Sequence, residues 1–139
     1  MKKIIISVFF LFVLTTLEGI AQCNSEALCN TCIPKLAGGF NFLKSYKIEK
    51  GSKDYVEYSY VFTKGTQYMI NICAQKEPTD GIIVSLFDSN RNKVATSKIN
   101  NQFISAIAYP CNTTGIYYIQ YTFDNSTAYC GGSALGFKR

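Results

Sequence analysis

From Gly39 onward, apolar and polar positions alternate over short runs, and small or polar turn residues separate one run from the next. In Asp54 to Thr63, Val56, Tyr58, Tyr60 and Phe62 alternate with Tyr55, Glu57, Ser59 and Thr63. A pleated strand sends successive side chains to opposite faces, so the first set predicts one buried face. Gly115 to Phe123 repeats the pattern, with Tyr117, Ile119, Tyr121 and Phe123 on one face and Tyr118, Gln120 and Thr122 on the other. Gly81 to Phe87 is apolar on both faces apart from Ser85, which marks a central strand. The same reading places further strands at Gly39 to Ile48, Gln67 to Ala74, Lys93 to Lys98, Gln102 to Tyr109 and Thr127 to Phe137, eight in all. Lys64-Gly65, Asp80-Gly81, Asp88-Ser89-Asn90 and Thr114-Gly115 supply turn chemistry between them. No long 3.6-residue periodicity appears. The expected class is therefore all-β, an eight-stranded jelly-roll or Greek-key sandwich of two packed sheets.

The start of the chain follows a different rule. Lys2 and Lys3 precede an apolar run from Ile4 to Leu14, and Gly19-Ile20-Ala21 offers the small residues that a signal peptidase reads. The run is too short for a spanning helix, which needs about 20 apolar residues. The chain thus divides into a signal peptide (residues 1–21), a cysteine-rich segment (22–38) and a sandwich domain (39–139), with no transmembrane helix in the mature part. Its expected location is the periplasm, the outer-membrane surface or the extracellular space. Cleavage before Cys23 would instead make a lipoprotein, although Gln22 is a poor fit to the residue that precedes a lipid-bearing cysteine.

All six cysteines, Cys23, Cys29, Cys32, Cys73, Cys111 and Cys130, lie beyond the predicted cleavage site. An even number in an exported chain predicts disulfides, and six cysteines allow 15 complete pairings. Three fall within Cys23 to Cys32 and three are spread through the body, so full pairing requires at least one bridge from the lead to the sandwich. Cys29-Asn30-Thr31-Cys32 also has the spacing of thiol oxidoreductases, but it does not follow a strand in a βαβ unit as that chemistry expects.

Composition removes other chemistries. The chain holds no His and no Trp, so the Ser-His-Asp and Cys-His pairs and every His-containing zinc site are absent. The net charge of +5 is mild, and Lys2, Lys3 and Glu18 leave with the signal. Nucleic acid is not an expected partner for an exported chain of this kind. Lys44 and Lys47, continued by Lys50 and Lys53, recur every third residue and form a candidate basic edge for an acidic or phosphate-bearing surface. Tyr55 and Tyr118 lie opposite the predicted core sets and are candidates for protein or sugar contact. Asp88, Asn90 and Asn92 alternate as oxygen ligands do in a calcium loop. Lys93 stands where such a loop has Gly, so a hairpin turn is the first reading there and calcium the second; no other cofactor is expected.

The succession Tyr60-Val61-Phe62, Gly65, Tyr68-Met69-Ile70, Val84 to Asp88, Val94-Ala95 and Thr114 to Ile119 resembles the bacterial pre-peptidase C-terminal domain over about residues 54–124. The resemblance lies in strands and turns and includes no catalytic residue. It implies a β-sandwich accessory module of exported proteins, and some domains of that family bind calcium. The expected function is a non-catalytic interaction module at the bacterial cell envelope that binds a protein or a surface glycan. Alternatives are a structural subunit of an envelope or secretion complex and a thiol-disulfide oxidoreductase using Cys29 and Cys32.

Overall fold

A computed structural model of the protein describes Cys23 to Arg139, so the expected signal peptide and Gln22 lie outside the described residues. The lead forms helix α1 (Ser25–Cys32), and ten strands follow. They are β1 (Asn41–Glu49), β2 (Tyr55–Phe62), β3 (Gln67–Asn71), β4 (Ile82–Phe87), β5 (Lys93–Thr96), β6 (Lys98–Ile99), β7 (Gln102–Phe103), β8 (Ala106–Pro110), β9 (Gly115–Phe123) and β10 (Cys130–Lys138). One sheet has the order β1-β10-β3-β8 and the other β2-β9-β4-β5, while β6 and β7 form a separate small hairpin. Every pairing is antiparallel. The pairs β1 with β10, β2 with β9, β3 with β8 and β4 with β5 nest around one another. The chain is a long two-stranded ribbon, closed at the β4–β5 turn and rolled into two sheets, which is the jelly-roll arrangement.

The core lies between the inner sheet faces, and the alternation sets its phase. Tyr117, Ile119 and Tyr121 of β9 are buried, as are Ile82, Val84 and Leu86 of β4. Phe62 is fully buried, and Val56, Tyr58 and Tyr60 pack partly buried against the same cluster. Phe62 stacks between Tyr68 (ring centroids 3.8 Å apart) and Tyr117 (4.8 Å), joining the two sheets through aromatic contact. Nearby, the Tyr121 hydroxyl reaches Ser133 Oγ at 2.7 Å, a buried hydrogen bond from β9 to β10 across the sandwich.

Several expected strands have different limits, and the run Gln67 to Ala74 forms a strand only as far as Asn71. The run Lys93 to Lys98 divides into β5 and the start of β6, and Gln102 to Tyr109 divides into β7 and β8. Asn100 and Asn101 both have positive φ, 52° and 61°, and make the tight turn between β6 and β7. The last strand starts at Cys130 rather than Thr127, because Ser126 to Ala128 are bound to the Asp80 carboxylate instead of a neighbouring strand.

The cysteine-rich lead contains a helix that the sequence pattern does not announce. Asn24 caps α1 by accepting the Ala27 N–H at 3.0 Å, and Ser25, Cys29 and Cys32 form its buried stripe. That stripe lies on the outer face of β10, where Gly132 and Ala134 are small enough to admit a helix backbone. A Cβ built on Gly132 would stand 2.2 Å from Cys29 N and 2.5 Å from the Leu28 carbonyl carbon. Relief of that overlap would require the helix to move away from the strand. We therefore expect Gly132→Ala to destabilise the protein by about 2 kcal/mol or more, read as a lower midpoint in chemical denaturation, whereas Gly51→Ala, with open space around it, should change stability little.

Candidate functional site

Two disulfides fix α1 to the sandwich, Cys23–Cys130 and Cys32–Cys73. Both tie the lead to the body, and Asn71 adds a third link by donating to the Cys32 carbonyl and accepting the Ala134 N–H, each at 2.8 Å. The expectation that all six cysteines form bridges holds for four of them. Cys29 and Cys111 are unpaired and buried. They occupy different surroundings, which accounts for the missing third bridge: Cys29 Sγ donates to the Tyr46 carbonyl at 3.1 Å beneath α1, while Cys111 Sγ lies beside Thr113 O and Tyr117 Oη. The Cys23 bridge uses the sulfur that a lipid would occupy.

The Cys-x-x-Cys pair does not have redox geometry. Cys32 is bonded to Cys73, and Cys29 lies in the second half of the helix, away from the positive end that would stabilise a thiolate. Burial pushes the Cys29 thiol up, with Glu26 and Glu49 acting the same way against the opposing Ser133 backbone hydrogen bond and Lys47.

Asp88, Asn90 and Asn92 form a turn. One Asp88 oxygen accepts the N–H groups of Asn90 and Asn92, each at 2.9 Å, and Asp88 N–H donates to the Asn92 carbonyl. The carboxylate is used in closing the β4–β5 hairpin, the first of the two readings the sequence allowed. No group of three or more His, Cys, Asp or Glu that could hold a metal occurs among the described residues.

The lysines diverge. Lys44 and Lys47 are exposed on β1, but they fall on opposite faces of the strand. Lys44 Nζ lies 5.7 Å from the Tyr46 ring, and Lys47 faces α1, 4.0 Å from Glu26. A three-residue spacing suits one face of a helix and splits across a strand, so no single basic patch forms from this pair.

Tyr55 and Tyr118 do share a face. The β2–β9 register sets Tyr55 opposite Thr122, Glu57 opposite Gln120, Ser59 opposite Tyr118 and Val61 opposite Ile116, all on the outer side of the second sheet. β4 extends that side with Phe87 beside Tyr118. Val61 (56%), Ile116 (48%) and Tyr55 (37%) are among the most exposed large apolar side chains of the described residues. Each aromatic ring here carries a cation: Lys53 lies 5.6 Å from the Tyr55 ring, Lys93 5.8 Å from Phe87, and the Arg91 guanidinium 3.6 Å from Tyr118. Arg91 also holds Glu57 at 2.6 Å, and that bond with Glu57 raises the arginine's pKa. The opposite outer face is covered at β10 by α1, so the two sides of the sandwich are unequal. Sequence periodicity identifies the two tyrosines but misses Val61, Ile116 and Arg91, which join them only through strand register.

A shallow concavity at one end of the sandwich is lined by Lys76 to Gly81, Phe103 and Asn125. Its buried acid is Asp80, in the left-handed region at φ 47°. Burial alone would raise this carboxyl's pKa. Hydrogen bonds from the Ala128 and Thr127 backbones and the Thr127 and Ser126 hydroxyls outweigh burial and hold it below the ordinary carboxylate range. Asp80 therefore joins two loops and has no free oxygen suited to acid–base chemistry.

No protein-family model and no curated protein matches this sequence. Among solved structures, Aeromonas hydrophila PliG, a periplasmic inhibitor of g-type lysozyme, is similar at 13% identity and a TM-score of 0.45, over 74% of this chain and 90% of that one. The Glycosylation Associate Protein complex from Streptococcus agalactiae is similar at 12% identity and a TM-score of 0.40, over 73% of this chain and 39% of that one. The chain thus spans well under half the length of the second.

Two outcomes follow from this geometry. Alkylation of the oxidised mature protein should label no thiol in the native state, two after unfolding without reductant and six after reduction. Asp80→Asn should cost about 2 kcal/mol at pH 7. Because the folded pKa is depressed, the wild-type advantage is complete above the unfolded value near 3.8 and disappears as the pH falls through the folded one. Denaturation midpoints of the two proteins should therefore converge in acid, and a constant gap would show that the charge is not the cause.

Proposed function

We propose that this chain is an exported, non-catalytic β-sandwich that binds a protein at the bacterial cell envelope through the open face formed by β2, β9 and β4. The observation that carries this reading is the pairing of Val61 with Ile116 at the end of an aromatic row on an otherwise rigid sheet. Two disulfides fit folding in an oxidising compartment. Backbone pairing on three adjacent strands fixes these side chains in place, so binding orders little that is not already ordered.

The chemistry of the face favours protein over glycan. Sugars bind by stacking on open aromatic faces, and the Tyr118 ring is already covered by Arg91 at 3.6 Å. β-branched Val61 and Ile116 offer no ring to stack on and suit an apolar protein surface. Arg91, Lys53 and Lys93 around them suit a partner whose apolar centre has an acidic rim. The likeness to the pre-peptidase C-terminal domain points the same way, to an accessory module.

A photoreactive residue at position 116 should give one discrete heavier adduct in the native envelope, and the same residue at position 31, exposed on α1, should not. Ile116→Asp should weaken capture of that adduct's protein at least tenfold, about 1.4 kcal/mol, while the thermal midpoint stays near the parent's. Equal adducts from both positions, or none from 116, would reject this face as the binding surface. Binding to an oligosaccharide array that is lost in Ile116→Asp would transfer the assignment to a glycan.

A further inference from the structure

The sandwich has four sheet edges, β1 and β8 in one sheet and β2 and β5 in the other. Unpaired N–H and C=O groups along an edge are a template for another strand, and proteins protect edges with lysines, prolines, bulges or brevity. Three of these edges are protected. β1 carries Lys44, Lys47 and a register shift between Phe42 and Lys44. β5 is four residues long, starts at Lys93 and has a register shift against β4. β8 is five residues long and ends in Pro110.

β2 has none of these devices. It runs eight residues in unbroken register with β9 and contains no Lys, Pro or Gly. Its single charge, Glu57, is already held by Arg91. The backbone phase of this edge is also set. Lys64 N–H reaches Thr114 Oγ1 on the β9 side, and Thr63 N–H turns the other way to Tyr68 Oη. By the alternation of an antiparallel ladder, Tyr55, Glu57, Ser59 and Val61 direct their backbone groups to the open side.

The edge sequence is complementary to itself. Antiparallel pairing of two copies about Ser59 sets Tyr58 opposite Tyr60, Val56 opposite Phe62 and Glu57 opposite Val61, with Asp54 opposite Lys64 at both ends. Asp54, Ser59 and Lys64 are all exposed. Centring on Tyr58 would set Asp54 against Phe62, and centring on Tyr60 would set Lys64 against Val56; neither register pairs opposite charges. We propose that β2 pairs with β2 of a second copy about a two-fold axis at Ser59, so that two four-stranded sheets continue as one eight-stranded sheet. The interface uses the backbone edge of β2, whereas the protein-partner face is tested at Ile116 on the interior strand β9; Val61 belongs to both surfaces.

Sedimentation of the oxidised mature protein up to roughly 100 μM, a range that detects micromolar association, should show a concentration-dependent dimer. Lys64→Glu turns two attractive pairs into two repulsive ones and should weaken it about tenfold or more, and adding Asp54→Lys to that variant should restore it. Both positions are exposed, and unchanged thermal midpoints would confirm that each variant folds. A monomer throughout the range, or a dimer indifferent to the charge reversal, would overturn the proposal.

Discussion

The structure depends on one constraint: a β-sandwich has two outer faces, and only one of them has a cover within the described chain. The cover is α1, held to β10 and its neighbours by Cys23–Cys130 and Cys32–Cys73. An eight-residue helix is too short to be stable alone in water. Its persistence rests on tertiary attachment, and the attachment requires a strand with almost no side chains on that side. Gly132 and Ala134 meet the requirement, and as a result β10 is buried along nearly its whole length. The outer face of the other sheet has no corresponding element, so its larger side chains remain in solvent.

The two bridges also explain why the remaining thiols stay single. Once Cys32 is joined to Cys73, Cys29 is held beneath the helix with its sulfur on the Tyr46 carbonyl. Cys111 is held near the β8–β9 connection by Thr113 and Tyr117. Both thiols are buried, and at Cys29 burial disfavours the thiolate that exchange would need. The bridges are therefore structural fasteners, and Cys29 serves as a buried small residue in the helix seat.

Much of the sandwich was legible because strands and turns have local signals. Alternation gave the core face of β2 and β9, the all-apolar run identified β4 as an interior strand, and Gly65, Asp80-Gly81 and Asp88 marked real turns. The cues that went unread were also local. Asn24 caps α1 three residues before Ala27, and the small residues Gly132 and Ala134 prepare its seat. What no single segment encodes is register. Val61 meets Ile116, and Arg91 reaches Glu57 and Tyr118, through pairings between residues far apart in sequence. The lysine spacing misled for a related reason, since its meaning depends on whether the backbone that carries it has a period of 3.6 or of 2.

The same register links the chemistry of the open face to that of its edge. Arg91 leaves the β4–β5 turn at φ 64° and crosses β9 to Glu57 on β2, covering Tyr118 on the way. One side chain thus spans the face and removes the only charge that would guard the β2 edge. With that carboxylate engaged, β2 presents an aromatic and β-branched strand whose formal charges lie just outside it, at Asp54 and Lys64. A free glutamate in the middle of the strand would repel or misplace an incoming strand, whereas charges confined to the ends select its register. The hairpin turn at Asp88 to Asn92 positions an arginine, and that arginine determines which strands the edge can accept.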